Sequence, residues 1–215
     1  MIQSHYENIK KQLGNSCCLC AVTKRRTVEE VMPLYEAGER DFAENRADEL
    51  KHKYEAMPKD IRWHFIGHLQ KNKVRTVLPM VSLIQSLDSP ELARIIEKEA
   101  ARIGRTVDVL VELHLAVEDT AKTGLTTEEA DALIGQCMEL PHVRVCGIMV
   151  MGPHTDDTER IREVFEEART FYLKMQEKYG KETIHILSMG MSSDYAIALE
   201  CGSDMVRIGT YLFEE

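Results

Sequence analysis

Eight short stretches rich in aliphatic and β-branched residues recur along the 215 residues, and amphipathic segments of helical period fill the gaps between them. The apolar runs fall at 17–24, 41–45, 62–67, 82–88, 107–115, 143–152, 184–191 and 204–210. Between them lie segments such as TVEEVMPLYEAG, SPELARIIEKEAARIG, TTEEADALIGQCMEL and DTERIREVFEEARTFYLKMQEKYG, with apolar residues three and four apart. Several of these open on Ser or Thr, favoured helix N-caps, and two run into Gly. A strand followed by a crossover helix imposes parallel pairing, so eight such units predict a (β/α)8 barrel, and the length suits its lower size range. A doubly wound open sheet is the alternative, because strand counting does not establish closure. Pro and Gly punctuate the chain without clustering into a linker, so one domain over 1–215 is expected, with an extra helix from MIQSHYENIKKQLG ahead of the first strand.

The formal charge of -9, from 36 acidic against 27 basic residues, argues against a general footprint for nucleic acid or an anionic membrane. Any anion must be held by a local site. The polar start carries no apolar core of a signal peptide and no run of about 18 apolar residues follows, so a cytoplasmic protein is expected. The six cysteines, Cys17, Cys18, Cys20, Cys137, Cys146 and Cys201, then read as reduced thiols lying mostly inside apolar runs. No CxxC spacing supports a metal pair at Cys18 and Cys20.

Active sites of such barrels lie at the C-terminal strand ends, so the polar residues that close each run are the candidates. SCCLCAVTK stops at Lys24, the second run at Glu44 and Asn45, the third at WHFIGHLQKNK, the seventh at SMGMSSD and the eighth at VRIGT. The loops after strands seven and eight form the recurrent phosphate site of this architecture. SMGMSSD supplies hydroxyls at Ser188, Ser192 and Ser193, with Gly190 permitting close backbone approach, and RIGT adds the Gly209 and Thr210 amides. Alternation along DMVRIGT puts Val206 and Ile208 on one face and Met205, Arg207 and Gly209 on the other. An inward Arg207 must meet a carboxylate or a ligand atom, because an unpartnered buried arginine is very costly.

Closure would make strands one and eight neighbours and bring Lys24 to the phosphate cradle. A lysine shielded from water and near other cations has its pKa lowered toward the neutral amine that attacks carbonyls. Lysine, phosphate cradle and barrel together fit either pyridoxal phosphate (PLP) or a sugar phosphate held as in a class I aldolase.

AVTK, DFAENRADE, WHFIGHLQKNK, SLIQSLDS, TAKTGL, GIMVMGP and LSMGMSSDYAIALECGSDMVRIGT occur in this order. The set resembles the PLP homeostasis proteins, a PLP-binding family similar to the N-terminal barrel of alanine racemase. The likeness runs from about Cys20 to Phe213. It implies PLP as cofactor, carried as an internal aldimine on Lys24, with Ser192 and the Gly209 and Thr210 amides on its phosphate. Asn45 and Met191 would lie against the cofactor, and Arg207 would face the pyridine nitrogen. The implied function is intracellular PLP homeostasis without sustained turnover, by a monomer whose partners are PLP and PLP-dependent acceptor enzymes. Amino-acid racemisation is the rival, but the chain stops just after strand eight and lacks the racemase's second domain. Two departures stand out: Ala43 where the family usually has glycine, and FEE after the last strand where GAR usually follows phenylalanine.

Other motifs carry less. His64 and His68 lack a spaced third metal ligand, and Gly67 to Lys73 lacks the second glycine and the hydroxyl residue of a P-loop. His64 is read as a barrel residue, with Gln70, Asn72 and Lys73 at the mouth or surface. RADELKHKYE is read as a solvated helix face, and Lys122 in TAKTGL as either a mouth or a loop lysine.

Overall fold

Parallel pairing runs from each strand to the next and from the eighth back to the first in the computed structural model, which describes residues 2–116 and 123–213. The strands are β1 (Cys18–Val22), β2 (Asp41–Glu44), β3 (Arg62–Phe65), β4 (Leu83–Leu87), β5 (Val107–Leu113), β6 (Val143–Val150), β7 (Ile186–Ser188) and β8 (Met205–Ile208). The sheet is therefore a closed barrel and the open alternative is excluded. Each strand is shorter than the apolar run that announced it, because the runs continue past the last inter-strand hydrogen bond into the mouth loops. Lys122 and the two terminal glutamates lie outside the described residues.

An N-terminal helix, α1 (Ile2–Leu13), precedes β1. The crossovers are α2 (Val28–Glu36), α3 (Ala47–Ala56), a 3-10 turn (Lys71–Lys73) running into α4 (Val74–Val77), α5 (Pro90–Arg102), α6 (Thr127–Cys137), α7 (Thr158–Tyr179) and α8 (Tyr195–Glu200). A short α9 (Thr210–Phe213) follows β8. Hydroxyl and carboxylate caps set the helix starts. Thr27 and Thr126 form capping boxes with Glu30 and Glu129, Ser89 accepts from the Leu92 amide, and Asp157 accepts from Glu159 and Arg160. Among the described residues no helix is long and apolar enough to cross a membrane.

Strand alternation divides the apolar residues between two cores. The larger fills the layer between barrel and helices and includes Leu19, Phe42, Trp63, Val206 and Ile208. The smaller fills the barrel interior with Cys20, Val22, Ala43, Leu83, Leu110, Cys146, Met149 and Met205. Below these, two guanidinium–carboxylate forks link register neighbours, Arg62 to Asp41 at 2.7 and 2.5 Å and Arg144 to Asp108 at 2.6 and 2.8 Å. Helix α1 turns Tyr6, Ile9 and Leu13 inward and packs on α2, α9 and β1. Ile9 is fully buried, so Ile9→Ala is expected to lower stability by about 2–5 kcal/mol in urea unfolding. Leu173→Ala, at an exposed position on α7, should stay within about 0.5 kcal/mol of the parent.

Candidate functional site

The β8–β1 register, Cys20 beside Arg207 and Ala21 beside Ile208, joins the two ends of the chain at the C-terminal mouth. There a cavity of about 340 Å³ is lined by Lys24, Asn45, Met191, Ser192, Arg207, Gly209 and Thr210. All seven site residues read from the sequence thus border one space. Val22, Ile66, Met149, Met151 and Ser193 complete its wall. Ser193 is among the hydroxyls the sequence offers for the phosphate; the other four are not singled out there, although inward alternation and position at the strand ends are signals for most of them.

The two final loops are tied to each other. Ser192 Oγ accepts from the Gly209 and Tyr211 amides, each at 3.3 Å, and Asp194 Oδ1 accepts from the Met191 amide at 2.5 Å. Gly190 takes φ 97, and a Cβ there would meet the Ala198 Cβ at 2.6 Å, so this turn requires glycine. A Cβ on Gly209 would lie 3.2 Å from the Val22 carbonyl oxygen and 3.3 Å from the Val22 Cβ, so a side chain there would have to push β1 aside by a few tenths of an ångström.

Arg207 is buried and turned inward, but among the described residues it meets no carboxylate at ion-pair distance. Its Nη1 donates to the Ser188 carbonyl at 2.9 Å and to Ser188 Oγ at 2.7 Å, and Nη2 donates to the Val150 carbonyl at 2.9 Å. Neutral protein oxygens therefore hold it where a carboxylate or a ligand atom was expected. Burial lowers the Arg207 pKa, with Cys20, Asp194 and Glu112 opposing that shift.

Lys24 lies in the turn after β1 and lines both this cavity and a wider one of about 600 Å³, which also shares Asn45. The sequence reading shielded this amine from water; the structure leaves the residue exposed, because the turn carries it past the strand end to the rim. No hydrogen bond or ion pair engages its Nζ among the described residues. The next residue, Arg25, adopts φ 62, and its amide donates to Glu49 Oε2 at 2.9 Å.

Behind Lys24 lies a cluster that the sequence concealed. Lys53, in the charged run RADELKHKYE, is only 2 % exposed and reaches under the turn. Its Nζ donates to the Thr23 carbonyl at 2.6 Å and to Glu44 Oε1, which also accepts from Thr23 Oγ1 at 2.6 Å. The solvated-face reading fails along one stripe, since α3 lays Ala47, Leu50 and, alone among the charged residues, Lys53 against the barrel. Asn45 Oδ1 is buried without a hydrogen-bond partner. On β5, burial and the nearby Asp88 carboxylate raise the Glu112 pKa to about 7, against a hydrogen bond from Thr123.

The whole chain, residues 1–215, matches the family model described as alanine racemase, N-terminal domain. It is 39% identical over 204 residues to the pyridoxal phosphate homeostasis protein of Aquifex aeolicus, covering 94% of this chain and 89% of that one. The chain belongs to the pyridoxal phosphate homeostasis protein family. The solved structure of PipY from Synechococcus elongatus without PLP is similar at TM-score 0.94 and 32% identity, and that of PipY with PLP bound at 0.92 and 31%; each comparison covers all of both chains. An alanine racemase of Clostridium difficile shares the fold alone, at TM-score 0.79 and 18% identity, with this chain spanning 56% of its length. Ala43, noted above as a departure, is fully buried in the barrel interior and does not line the smaller cavity.

Two outcomes follow from this geometry. Lys53→Met strands a buried Glu44 carboxylate and should lower stability by about 3–5 kcal/mol in denaturant unfolding. Below about pH 4.5 Glu112 is protonated in both folded and unfolded chains; between there and about 7 only the unfolded chain releases the proton. Stability should therefore fall as pH rises through that window, and Glu112→Gln should flatten the fall in unfolding curves taken across it.

Proposed function

We propose that the barrel of residues 1–215 binds pyridoxal 5'-phosphate in the smaller mouth cavity and serves PLP homeostasis, holding the cofactor without sustained turnover. The observation that carries this reading is the convergence of an unengaged lysine amine, a backbone cradle and an inward guanidinium on one cavity. The residues fit the cofactor. Asn45 Oδ1 is a buried acceptor awaiting a donor, and Gly209 leaves room beside Val22 that a side chain would fill.

Bound PLP supplies an aldehyde that condenses reversibly with a primary amine and a pyridine ring able to draw electrons. Lys24 offers that amine from the rim. Ser192 and the Gly209 and Thr210 amides hold the phosphate, and Asn45 and Met191 flank the ring. Arg207 faces the ring nitrogen as a hydrogen-bond donor. A guanidinium does not surrender its proton, so it leaves that nitrogen unprotonated and the ring a weak electron sink. This favours storage over catalysis. PLP bound to PipY, a relative of full coverage, supports PLP as the ligand.

The finer features are part of the proposal. The six unpaired thiols suit a reducing cytoplasm. Met138 and Leu173 are the large apolar residues exposed among those described, which suits a monomer that releases PLP to acceptor enzymes.

Incubated with PLP, the chain should turn yellow, and borohydride should bleach the band and leave a pyridoxyl mass on the Lys24 peptide. Lys24→Ala should lose the band with its far-ultraviolet dichroism unchanged. A label on another lysine, or a variant that stays yellow, rejects Lys24. A colourless protein labelled only in the presence of sugar phosphate would favour an aldolase, and loss of chirality in an alanine assay a racemase.

A further inference from the structure

Below Arg207 the barrel interior holds three polar side chains that border neither mouth cavity: Ser188, Gln85 and His64, all buried. They form one continuous chain. Arg207 Nη1 donates to Ser188 Oγ at 2.7 Å, and Ser188 Oγ donates to Gln85 Oε1 at 2.7 Å. Gln85 Nε2 meets His64 Nδ1 at 2.9 Å, and His64 Nε2 meets Asp41 Oδ1 at 3.2 Å. Burial opposes ionisation of Asp41, but its contacts with His64 and the two-pronged Arg62 guanidinium keep it a carboxylate, its pKa lowered from the usual value.

The chemistry of the two ends fixes the direction of every link. A guanidinium has only donors and a carboxylate only acceptors. The serine proton therefore goes to Gln85 Oε1, the amide nitrogen gives a proton to Nδ1, and His64 keeps its own on Nε2 for Asp41. His64 is then the neutral Nε2–H tautomer. A second proton on Nδ1 would set two N–H groups head to head. Turning the Gln85 amide to relieve this would aim its nitrogen at Ser188 Oγ, which already receives Arg207, and deprive the serine proton of its acceptor. The charged or ionisable groups around this stretch include Asp41 on β2 with Glu39 just before it, Arg62 on β3, Cys20 on β1 and Arg207 on β8, and Glu112 on β5 and Asp194 before α8 act on Arg207 from farther off.

We propose that His64, Gln85 and Ser188 are positioning residues for Arg207. Their one-way chain, anchored on Asp41, fixes the guanidinium in the barrel mouth with its remaining N–H groups toward the ring nitrogen of a pyridine ligand. A carboxylate partner would hold the arginine equally well but would neutralise it. Neutral acceptors hold it with its charge still directed at the ligand, and linked hydrogen bonds polarise one another along the chain. The proposal rests on the reading of the cavity as a PLP site.

Two measurements test it. Nitrogen-15 NMR of histidine-labelled full chain, without ligand and near neutral pH, should show His64 as the Nε2–H tautomer. In Gln85→Glu the new carboxylate cannot donate to Nδ1, and the signal should move to the imidazolium pattern. With nitrogen-15 PLP bound, the ring nitrogen should resonate as an unprotonated hydrogen-bond acceptor. Ser188→Ala and Gln85→Leu should shift it toward free PLP in water and weaken PLP binding about tenfold. A charged or Nδ1–H His64 in the parent chain overturns the proposal. So does a ring-nitrogen signal that stays put in both variants while PLP binds. A parent chain that binds no PLP removes the underlying reading instead, and is recognised by the absence of any bound signal.

Discussion

The pairing of β8 with β1 is the constraint on which the mouth depends. Without it, Lys24 near one end of the chain and the loops around Ser192 and Gly209 near the other are separated by the whole sequence. With it, Ala21 sits beside Ile208, and the turns that follow both strands emerge together. Parallel pairing alone would not suffice. The register must also place Cys20 beside Arg207, because a slip of one residue would send the guanidinium into the apolar layer under the helices.

Around that junction the protein holds its charges in two different ways. Lys53 and Glu44 neutralise each other beneath the Lys24 turn and fix the Thr23 carbonyl from below. Arg207 is instead held by uncharged oxygens, so its field remains available in the cavity. One arrangement makes a platform and the other keeps a cation undischarged. Both lie close to the same space, and among the described residues the Lys24 amine and the Asn45 oxygen there have no hydrogen-bond partner.

The barrel and the cavity wall were legible because their signals are local. Strand alternation separates Val206 from Arg207, and polar residues that close apolar runs stand out as Lys24, Asn45 and Ser192 do. Lys53 was hidden because a helix face is read as a whole, and its neighbours Lys51 and Glu55 are indeed a surface pair. Gln85 was hidden for a different reason, and Ser188, read as a hydroxyl of the phosphate loop, is instead buried beneath Arg207 and bonded to Gln85. Each lies inside an apolar run, and a partner 103 residues away in sequence leaves no trace in either run. The exposure of Lys24 also escaped the sequence, since two residues of turn decide whether an amine ends inside a strand mouth or on its rim.

The forked pairs of Arg62 with Asp41 and Arg144 with Asp108 floor the barrel, and packed side chains fill the interior above them. The vessel is therefore a flask and not a tube. With the interior packed and the lower end closed by these forks, a small molecule held in the mouth would come and go on the same side of the barrel, where Lys24 stands at the rim.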